Sequence, residues 1–235
     1  MLTRDNLKLF GLQLFQPRQG YRYSLDALLL ARFCQGLKEG GRIVDLGAGC
    51  GVISLVLARV NQTAEVVAIE NNPDMAALID RNIRHNGLEG RVSVHGEDVI
   101  NFRASFSDSL FDLVVSNPPF RTPGSGKVSP QAGRDAARHE TTAGLADFMD
   151  AAKYLVKPSG RICFIQLPSR LPEFMQLAAQ MKLSVLRLRM IHGNAQSPAS
   201  MFMAELAKGR RSLPVVEAPL LVRDMDGEYT NEVWR

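Results

Sequence analysis

The sequence alternates between short apolar runs of strand length and longer runs with helical periodicity, and this alternation limits the possible folds most. Strands are predicted over residues 42–46, 64–70, 91–95, 111–116, 161–167, 183–191 and 200–207, and helices over 25–35, 52–60, 73–85, 144–155 and 171–181. Several strands are continuous Val, Ile and Leu runs, which is typical of strands buried on both faces. The pattern predicts an α/β fold with a seven-stranded, mostly parallel sheet and helices on both faces.

Length and composition fit one globular domain over residues 1–235. The chain has 235 residues, of which 46% are hydrophobic and 22% charged, so it can build a sizeable core without a metal or disulfide. Three cysteines and no Cys-x-x-Cys pair indicate a reduced, intracellular protein, and no cluster has metal-ligand spacing. There is no signal peptide and no membrane-length apolar run, so we expect a cytoplasmic protein without a bound metal. The net charge of +4 permits a phosphate-rich partner without requiring one.

A glycine-rich turn follows the first predicted strand and begins the next helix. It reads Asp45-Leu46-Gly47-Ala48-Gly49-Cys50-Gly51, and glycines let a backbone approach a ligand closely. In parallel sheets ligands bind at the carboxyl ends of strands. The spacing differs from the Gly-x-Gly-x-x-Gly of nicotinamide-binding loops, because the third glycine comes one residue early. A tight turn without a ligand is the alternative explanation for this segment.

Acidic residues follow the second and third predicted strands. Glu70, with Asn71 after it, can accept hydrogen bonds from both ribose hydroxyls of a nucleoside, whether the ligand is NAD or S-adenosylmethionine. Asp98 and Val99 follow the third strand, with Glu97 as a competing acidic candidate. A solvated acidic turn would also explain this second pair of carboxylates.

The tetrapeptide Asn117-Pro118-Pro119-Phe120 ends the fourth predicted strand. An amino nitrogen on a base or amide is a poor nucleophile, because its lone pair is delocalised into the attached π system. The Asn117 side-chain oxygen and the Pro118 carbonyl can accept hydrogen bonds from such a group and orient it, while two prolines stiffen the loop. Phe120 offers a face for stacking. The alternative is that the prolines only end a strand and Phe120 belongs to the core.

These segments resemble the motifs of class I S-adenosylmethionine-dependent methyltransferases, which have a Rossmann-like fold. The resemblance implies that Asp45 orders the glycine loop and interacts with the methionine ammonium, directly or through water. It also implies that Asp98 accepts a hydrogen bond from the adenine amino group with Val99 beside the ring, since Gly-x-Asp is the commoner pattern there. Asn117–Phe120 resembles the (Asn/Asp)-Pro-Pro-(Tyr/Phe) motif of the amino-nitrogen methyltransferases.

A wider resemblance covers nearly the whole chain. The leader Gln16–Leu30 and the segments Ala137–Glu140, Lys157–Gly160 and Asp226–Thr230 resemble the bacterial family that methylates N6 of the adenosine next to the anticodon of a valine tRNA. This implies S-adenosylmethionine as cofactor, S-adenosylhomocysteine as product and tRNA as substrate. Ser24 and Asp26 would lie over the methionine end of the cofactor. We accordingly expect residues 1–40 to form an extension over the cofactor site, 41–207 the catalytic core and 208–235 a tail.

Basic residues suggest where an RNA would bind. Arg121, Arg138 and His139 in and after the long polar loop are the substrate-binding candidates, with Phe120. Further candidates for phosphate contacts are Lys127, Arg134, Arg187, Arg189, Lys208, Arg210 and Arg211. Clusters of charge are also common on solvated faces that bind nothing.

Three other functions compete with adenine methylation. A glutamine-amide protein methyltransferase uses the same Asn-Pro-Pro chemistry, but such enzymes usually have a separate helical substrate domain, and only about 40 residues precede the glycine motif here. An rRNA guanine-N2 methyltransferase often has a duplicated domain. A nucleoside-binding protein without catalysis would not need the Asn117 motif.

Overall fold

The computed structural model describes residues 1–19, 22–34, 36–108, 110–120, 143–209 and 213–234. Its strands are β1 (Leu2–Leu7), β2 (Leu12–Pro17), β3 (Arg42–Leu46), β4 (Glu65–Ile69), β5 (Val92–His95), β6 (Phe111–Ser116), β7 (Val156–Gln166), β8 (Leu183–His192), β9 (Ala199–Lys208), β10 (Val215–Val216) and β11 (Leu220–Leu221). Its α-helices are α1 (Leu25–Phe33), α2 (Val52–Val60), α3 (Pro73–His85), α4 (Phe102–Ser105), α5 (Leu145–Leu155), α6 (Leu171–Gln180) and α7 (Asn231–Trp234). Single 3₁₀ turns lie at Lys8–Phe10, Val99–Asn101 and Pro168–Arg170.

The main sheet has the order β10-β8-β9-β7-β6-β3-β4-β5, and β11 also pairs with β8. Strands β5, β4, β3, β6 and β7 pair in parallel, whereas β9 is antiparallel to both β7 and β8. The prediction of seven strands in a mostly parallel sheet is therefore confirmed. Two further strands of two residues each, β10 and β11, extend the sheet along β8.

Successive residues of the central strands point to opposite faces of the sheet, and each face has its own hydrophobic core. In β3, Ile43 packs in the cluster that contains Leu29 of α1 and Leu55 of α2. Its neighbour Val44 packs in the other cluster, which contains Phe148 of α5. This alternation has the two-residue period of a strand. The predicted covering of both faces by helices is confirmed.

The sequence of residues 1–23 predicts an irregular or hairpin-like entry segment, and the structure has an antiparallel hairpin of β1 and β2 there. Two side-chain amides, of Asn82 in α3 and of Asn86 directly after it, bind the exposed edge of β2. Asn82 accepts from the Phe15 N–H at 2.8 Å and donates to the Phe15 carbonyl at 2.9 Å, and Asn86 does the same with Gln13 at 2.9 and 2.8 Å. The guanidinium of Arg81 lies 4.0 Å from the centre of the Phe15 ring. Each amide replaces the partner that a neighbouring strand would have offered.

Strand β7 begins earlier than predicted and contains Lys157-Pro158-Ser159-Gly160, a sequence that predicts a turn. Pairing with β6 passes from Phe111 opposite Val156 to Leu113 opposite Arg161, so the extra residues form an irregularity inside the strand. A Cβ on Gly160 would lie 2.7 Å from the Val156 side chain and 2.9 Å from the Phe111 carbonyl oxygen. Only glycine fits there, and apolar periodicity contains no sign of such a pairing.

Serine or asparagine directly before a helix favours an N-cap, so the sequence predicts that Ser24 caps α1 and Asn72 caps α3, with Pro73 at the first position of α3. Asn72 caps α3 as predicted, accepting from the Asp74 and Met75 N–H groups, with Pro73 at the first position. Ser24 stands at the start of α1 but makes no side-chain cap bond, so that prediction is wrong. Its hydroxyl is instead 2.8 Å from the Asp26 carboxylate, which draws it away from the helix N–H groups. No helix within the described ranges is long and apolar enough to cross a membrane.

Candidate active site

A cavity of about 620 Å³ opens where β3, β4, β5 and β6 end. Its size is typical of a small-molecule or cofactor site. The predicted site residues that line it are Ser24, Gly47, Gly49, Glu70, Asn71, Asp98, Val99, Asn117, Pro118, Pro119 and Phe120. Asp26, Asp45, Ala48 and Gly51 do not line it, and Arg121, Arg138 and His139 lie outside the described residues.

The glycine-rich turn forms one wall of this cavity. Gly47, Gly49 and Gly51 have φ values of +71°, +59° and +83°, a conformation that favours glycine. A Cβ on Gly47 would also come within 3.1 Å of the Phe148 ring. The turn is held by the Ile69 carbonyl at the end of β4, which accepts hydrogen bonds from Gly47 and Ala48 at 2.9 and 3.0 Å. The loop is therefore shaped by its own glycines and anchored to the neighbouring strand.

Asp45 lies beneath the loop and is fully buried. Its Oδ2 accepts from the Ser54 backbone N–H at 3.1 Å and from the Ser54 hydroxyl at 2.7 Å, which fixes the first turn of α2. Its Oδ1 is buried without a hydrogen-bond partner. Burial raises the pKa of Asp45 to about 7, although the Ser54 bonds act in the opposite direction. Asp45 thus links the end of the strand before the glycine turn to the helix after it, and its loop-ordering role stays a prediction.

Glu70 stands at the end of β4, 8% exposed, with its carboxylate in the cavity wall. One oxygen accepts from the Gly49 N–H at 2.8 Å and the other from the Asn72 N–H at 2.9 Å. Burial raises the pKa of Glu70. Because each oxygen has a second lone pair, both remain able to accept a further hydrogen bond from a diol.

The two carboxylates after β5 both line the cavity. Asp98 Oδ1 accepts from the Ile100 N–H at 3.1 Å, and Asn71 Nδ2 lies 3.5 Å from Asp98 Oδ2. Glu97 accepts from the Ser105 hydroxyl at 2.7 Å. Asp98 is thus fixed within the turn that follows β5, whereas Glu97 is held from α4. Both carboxylates therefore stay candidates for the contact to the adenine amino group.

The Asn-Pro-Pro-Phe segment forms the opposite wall. The buried Ser116 hydroxyl donates to the Leu46 carbonyl at 2.8 Å, which ties the end of β6 to the end of β3. The Oδ1 atom of Asn117 is buried and has no hydrogen-bond partner, although Asn117 lines the cavity. Phe120 also lines the cavity, while its ring packs against the core beneath α1, α2 and α3. Phe120 therefore lies at the cavity, as stacking on a ligand would require, and also contacts the core, as the alternative predicts.

Several cavity or supporting residues were not predicted. Met75 and Phe148 line the cavity from α3 and α5, where the sequence shows only ordinary apolar helix positions. Gln166 and Arg170 contact the carbonyls of Pro118 and Pro119 from behind the loop. Glutamine and arginine at a strand end carry no pattern that would have identified them.

The basic residues of the late strands are already engaged. Arg187 pairs with Glu205 and Glu217 at 2.9 and 3.1 Å, and Arg189 pairs with Glu217 and Glu232. Lys208 donates to the Val156 carbonyl at 2.6 Å. These three cations have local partners, so the structure offers no support for them as phosphate contacts. Arg210 and Arg211 lie outside the described residues.

Comparisons with known proteins agree with this geometry. The sequence model of the family described as "Methyltransferase small domain" matches residues 26–166. A tRNA1(Val) (adenine(37)-N6)-methyltransferase of Pectobacterium carotovorum subsp. carotovorum is 29% identical, covering 97% of this chain and 90% of its own. One of the same name from Porphyromonas gingivalis is 32% identical, covering 71% and 67%.

Solved structures show the same fold at lower identity. A predicted O-methyltransferase from Agrobacterium tumefaciens superposes with a TM-score of 0.70 at 24% identity, covering 85% of this chain and 88% of that one. The TYW2 protein of Pyrococcus horikoshii, solved in complex with MeSAdo, has a TM-score of 0.60 at 19% identity and covers 87% and 69%. At these identities the likeness extends to the fold alone.

Proposed function

The chain belongs to the methyltransferase small domain family, and we propose that it transfers a methyl group from S-adenosylmethionine to N6 of an adenosine in tRNA, at the position next to the anticodon. Relatives named tRNA1(Val) (adenine(37)-N6)-methyltransferase align over nearly the whole chain. The observation that carries the proposal is the buried, unpartnered Oδ1 of Asn117 in the cavity wall. A buried acceptor without a donor is costly for the protein, so a ligand donor is its expected partner.

The residues present fit an adenosine-containing cofactor. Glu70 offers two carboxylate oxygens for the ribose hydroxyls, and Asp98 or Glu97 is positioned for the adenine amino group. Val99 supplies an apolar surface for the ring. The methionine end would lie against the glycine turn below Ser24, with Asp45 acting through the loop that it orders and Asp26 through its bond to Ser24.

The chemistry needs orientation more than a strong base. When bound, S-adenosylmethionine would supply an electrophilic methyl group, its positive sulfur becoming a neutral thioether, and the methylated nitrogen would then lose one hydrogen as a proton to solvent. Asn117 Oδ1 and the Pro118 carbonyl accept the two amino hydrogens, which holds the nitrogen and favours lone-pair density at that atom. Phe120 stacks on the flat face of the base. Asn117 is therefore the catalytic residue with the largest expected effect.

We infer that residues after the Asn-Pro-Pro-Phe segment hold the RNA. Arg121, Arg138 and His139 follow the Asn-Pro-Pro-Phe segment and are the proposed contacts to substrate, on the strength of that position in the sequence. A phosphate-binding role for the two arginines requires that RNA affinity fall as salt rises.

The test is transfer of labelled methyl from S-adenosylmethionine to total tRNA, rRNA and protein, followed by nucleoside and amino-acid analysis. We expect label in N6-methyladenosine of tRNA. Label in N2-methylguanosine or methylglutamine would replace our first choice by one of the alternatives, and no label in any fraction would leave a binding protein.

A substitution then tests the catalytic residue. In Asn117→Ala we expect the methyl-transfer rate to fall roughly 100-fold or more, in line with the loss of one preorganised polar contact at a reacting centre. Cofactor affinity, measured by calorimetry, is expected to persist. Asn6→Ala, at an exposed site on β1, is the matched control. A variant that kept full activity would exclude the proposed role of Asn117.

A further inference from the structure

Two buried side chains hold the Asn-Pro-Pro segment from the side opposite the cavity. The first is Gln166, the last residue of β7, which is fully buried. Its Nε2 lies 3.4 Å from the Pro118 carbonyl oxygen. Its Oε1 accepts from the Leu167 N–H at 3.2 Å. Because the oxygen of the amide is committed to a backbone N–H, the NH2 end is the one that faces Pro118.

The second is Arg170, in the 3₁₀ turn that follows β7, which is 8% exposed. Two of its nitrogens, Nε and Nη2, donate to the carboxylate of Glu173 at 2.9 and 2.8 Å. This two-point ion pair fixes the plane of the guanidinium. The remaining nitrogen, Nη1, lies 3.5 Å from the Pro119 carbonyl oxygen. Glu173 therefore balances the charge of Arg170 and aims its free N–H group at the loop.

Proline rings alone do not determine where the carbonyls of this segment point. A ring fixes φ of its own residue, and each proline restricts ψ of the residue before it. Asn117 and Pro118 both precede a proline, so their ψ angles are restricted. Pro119 precedes Phe120, so nothing in the local sequence restricts its ψ. That angle sets both the Pro119 carbonyl and the direction in which Phe120 leaves the turn.

We propose that Gln166 and Arg170 are positioning residues for methyl transfer. Gln166 occupies one lone pair of the Pro118 carbonyl and leaves the other directed at the reacting amino group. Arg170 holds the Pro119 carbonyl and thereby places Phe120 against the substrate base. The inference rests on the proposed function, since it assigns the Pro118 carbonyl and Phe120 to the acceptor. Both contacts are long for N–H···O hydrogen bonds, so each is expected to add little to the free energy of unfolding.

The primary experiment compares Gln166→Leu with Gln176→Leu, a matched change at an exposed glutamine of α6. We measure the single-turnover rate of methyl transfer, the KM for the acceptor, the affinity for S-adenosylhomocysteine and the urea midpoint. Gln166→Leu is expected to lower the transfer rate about 10-fold, the scale of a misplaced reacting group. The KM for the acceptor and the affinity for S-adenosylhomocysteine are expected to change less than about twofold, and the urea midpoint is expected to stay close to that of the wild type. Gln176→Leu is expected to match the wild type in all four quantities. A wild-type rate in Gln166→Leu would overturn the role of Gln166.

A second variant separates donation from packing. Gln166→Glu keeps the shape of the side chain, and its carboxyl can donate to the Pro118 carbonyl only while protonated. Its rate relative to the wild type is therefore expected to rise as pH falls, whereas the relative rate of Gln166→Leu stays low and flat. A flat ratio for Gln166→Glu would show that the side chain acts only by filling space.

Arg170 is tested through its partner. Glu173→Gln removes the charge that orients the guanidinium, while Glu173 itself does not line the cavity. We expect a lower transfer rate with unchanged cofactor affinity, and an unchanged rate would remove Arg170 from the proposal. These outcomes are separate from those for the proposed function. If the wild type methylates another acceptor, the same variants are compared on that acceptor, and full activity of Gln166→Leu beside an inactive Asn117→Ala contradicts this inference alone.

Discussion

At the scale of single residues, Asp45 links the end of the strand before the glycine turn to the helix after it. It is completely buried and its bonds go to Ser54, at the start of α2. Ionising Asp45 in the folded protein costs free energy, because burial raises its pKa from 3.8 to about 7. A shift of that size corresponds to on the order of 4 kcal/mol between the protonated and ionised forms.

This shift predicts a pH dependence of stability. Between pH 3.8 and about 7 the folded protein holds a proton at Asp45 that the unfolded chain has released, so raising the pH through this window lowers the free energy of unfolding. Asp45→Asn removes that loss. Urea unfolding is therefore expected to show the variant gaining stability relative to the wild type from pH 5 to pH 8.

Asp112→Asn is the control for this measurement. Although burial acts to raise it, the pKa of Asp112 is held below its usual value by the Arg42 N–H and by Lys157. The stability that ionised Asp112 contributes is lost only at acidic pH. Asp112→Asn is therefore expected to lower the free energy of unfolding by about the same amount at pH 5 and pH 8. A constant difference between Asp45→Asn and wild type across this range would refute a protonated Asp45.

At the scale of elements, the β1–β2 hairpin depends on side chains rather than on a neighbouring strand. Asn82 is fully buried, and its Nδ2 bridges the Phe15 carbonyl of β2 and the Cys50 carbonyl of the glycine turn at 2.9 and 3.0 Å. The hairpin is connected further to the leader, because buried Gln16 accepts from the Tyr23 N–H beside Ser24. Ser24 in turn lines the cavity.

We therefore predict that Asn82→Asp loosens both the hairpin and the cofactor site. The change keeps the size of the side chain but removes both donated bonds and places a charge in the core, for an expected cost of about 3 kcal/mol. Hydrogen exchange of Leu12–Pro17 should accelerate and S-adenosylhomocysteine affinity should fall. Asn86→Asp loosens the hairpin through Gln13 but has no bond to the glycine turn, so it should leave the affinity unchanged. Equal loss of affinity in both variants would argue against the Asn82–Cys50 link.

Some elements were predictable and others were not, for identifiable reasons. The parallel strands were found to within a few residues because, buried on both faces, they are continuous apolar runs, as in β3 and β6. The glycine turn, Glu70 and Asn117 were found because each follows such a strand. Gln166 and the start of β7 were missed because they depend on partners more than 40 residues away. Contacts between residues so far apart in the chain leave no pattern in the local sequence.

At the scale of the whole molecule, the C-terminal segment closes the sheet edge far from the cavity. Strands β10 and β11 pair with β8, and Glu217 and Glu232 pair with Arg187 and Arg189. The pKa of Arg187 is raised, since its bonds to Glu217 and Glu205 outweigh burial. No described residue of this segment lines the active-site cavity. The segment therefore contributes contacts at the sheet edge, separately from the active-site cavity.

The double variant Glu217→Gln/Glu232→Gln tests that separation. We expect it to lower the free energy of unfolding by about 1 kcal/mol, more at low salt than at high salt, because the pairs are only partly buried. The methyl-transfer rate per folded molecule is expected to remain unchanged. Glu65→Gln, whose pair with Arg42 is longer and more exposed, serves as the control with almost no effect. A large drop in the methyl-transfer rate of the double variant would mean that the ion pairs at the sheet edge affect the reaction in the cavity.

The Ser116–Leu46 hydrogen bond joins two strand ends that are 70 residues apart in the chain. The cavity walls on either side of it belong to segments made at very different times during synthesis. A nascent chain that has finished the glycine turn still lacks Asn117, and closing a loop of this length comes late in folding because its entropy cost is met before the contacts form. Because the Asn117–Phe120 wall follows β6, we expect a chain that ends before β6 to gain less protection from proteolysis by S-adenosylhomocysteine than the 235-residue chain does.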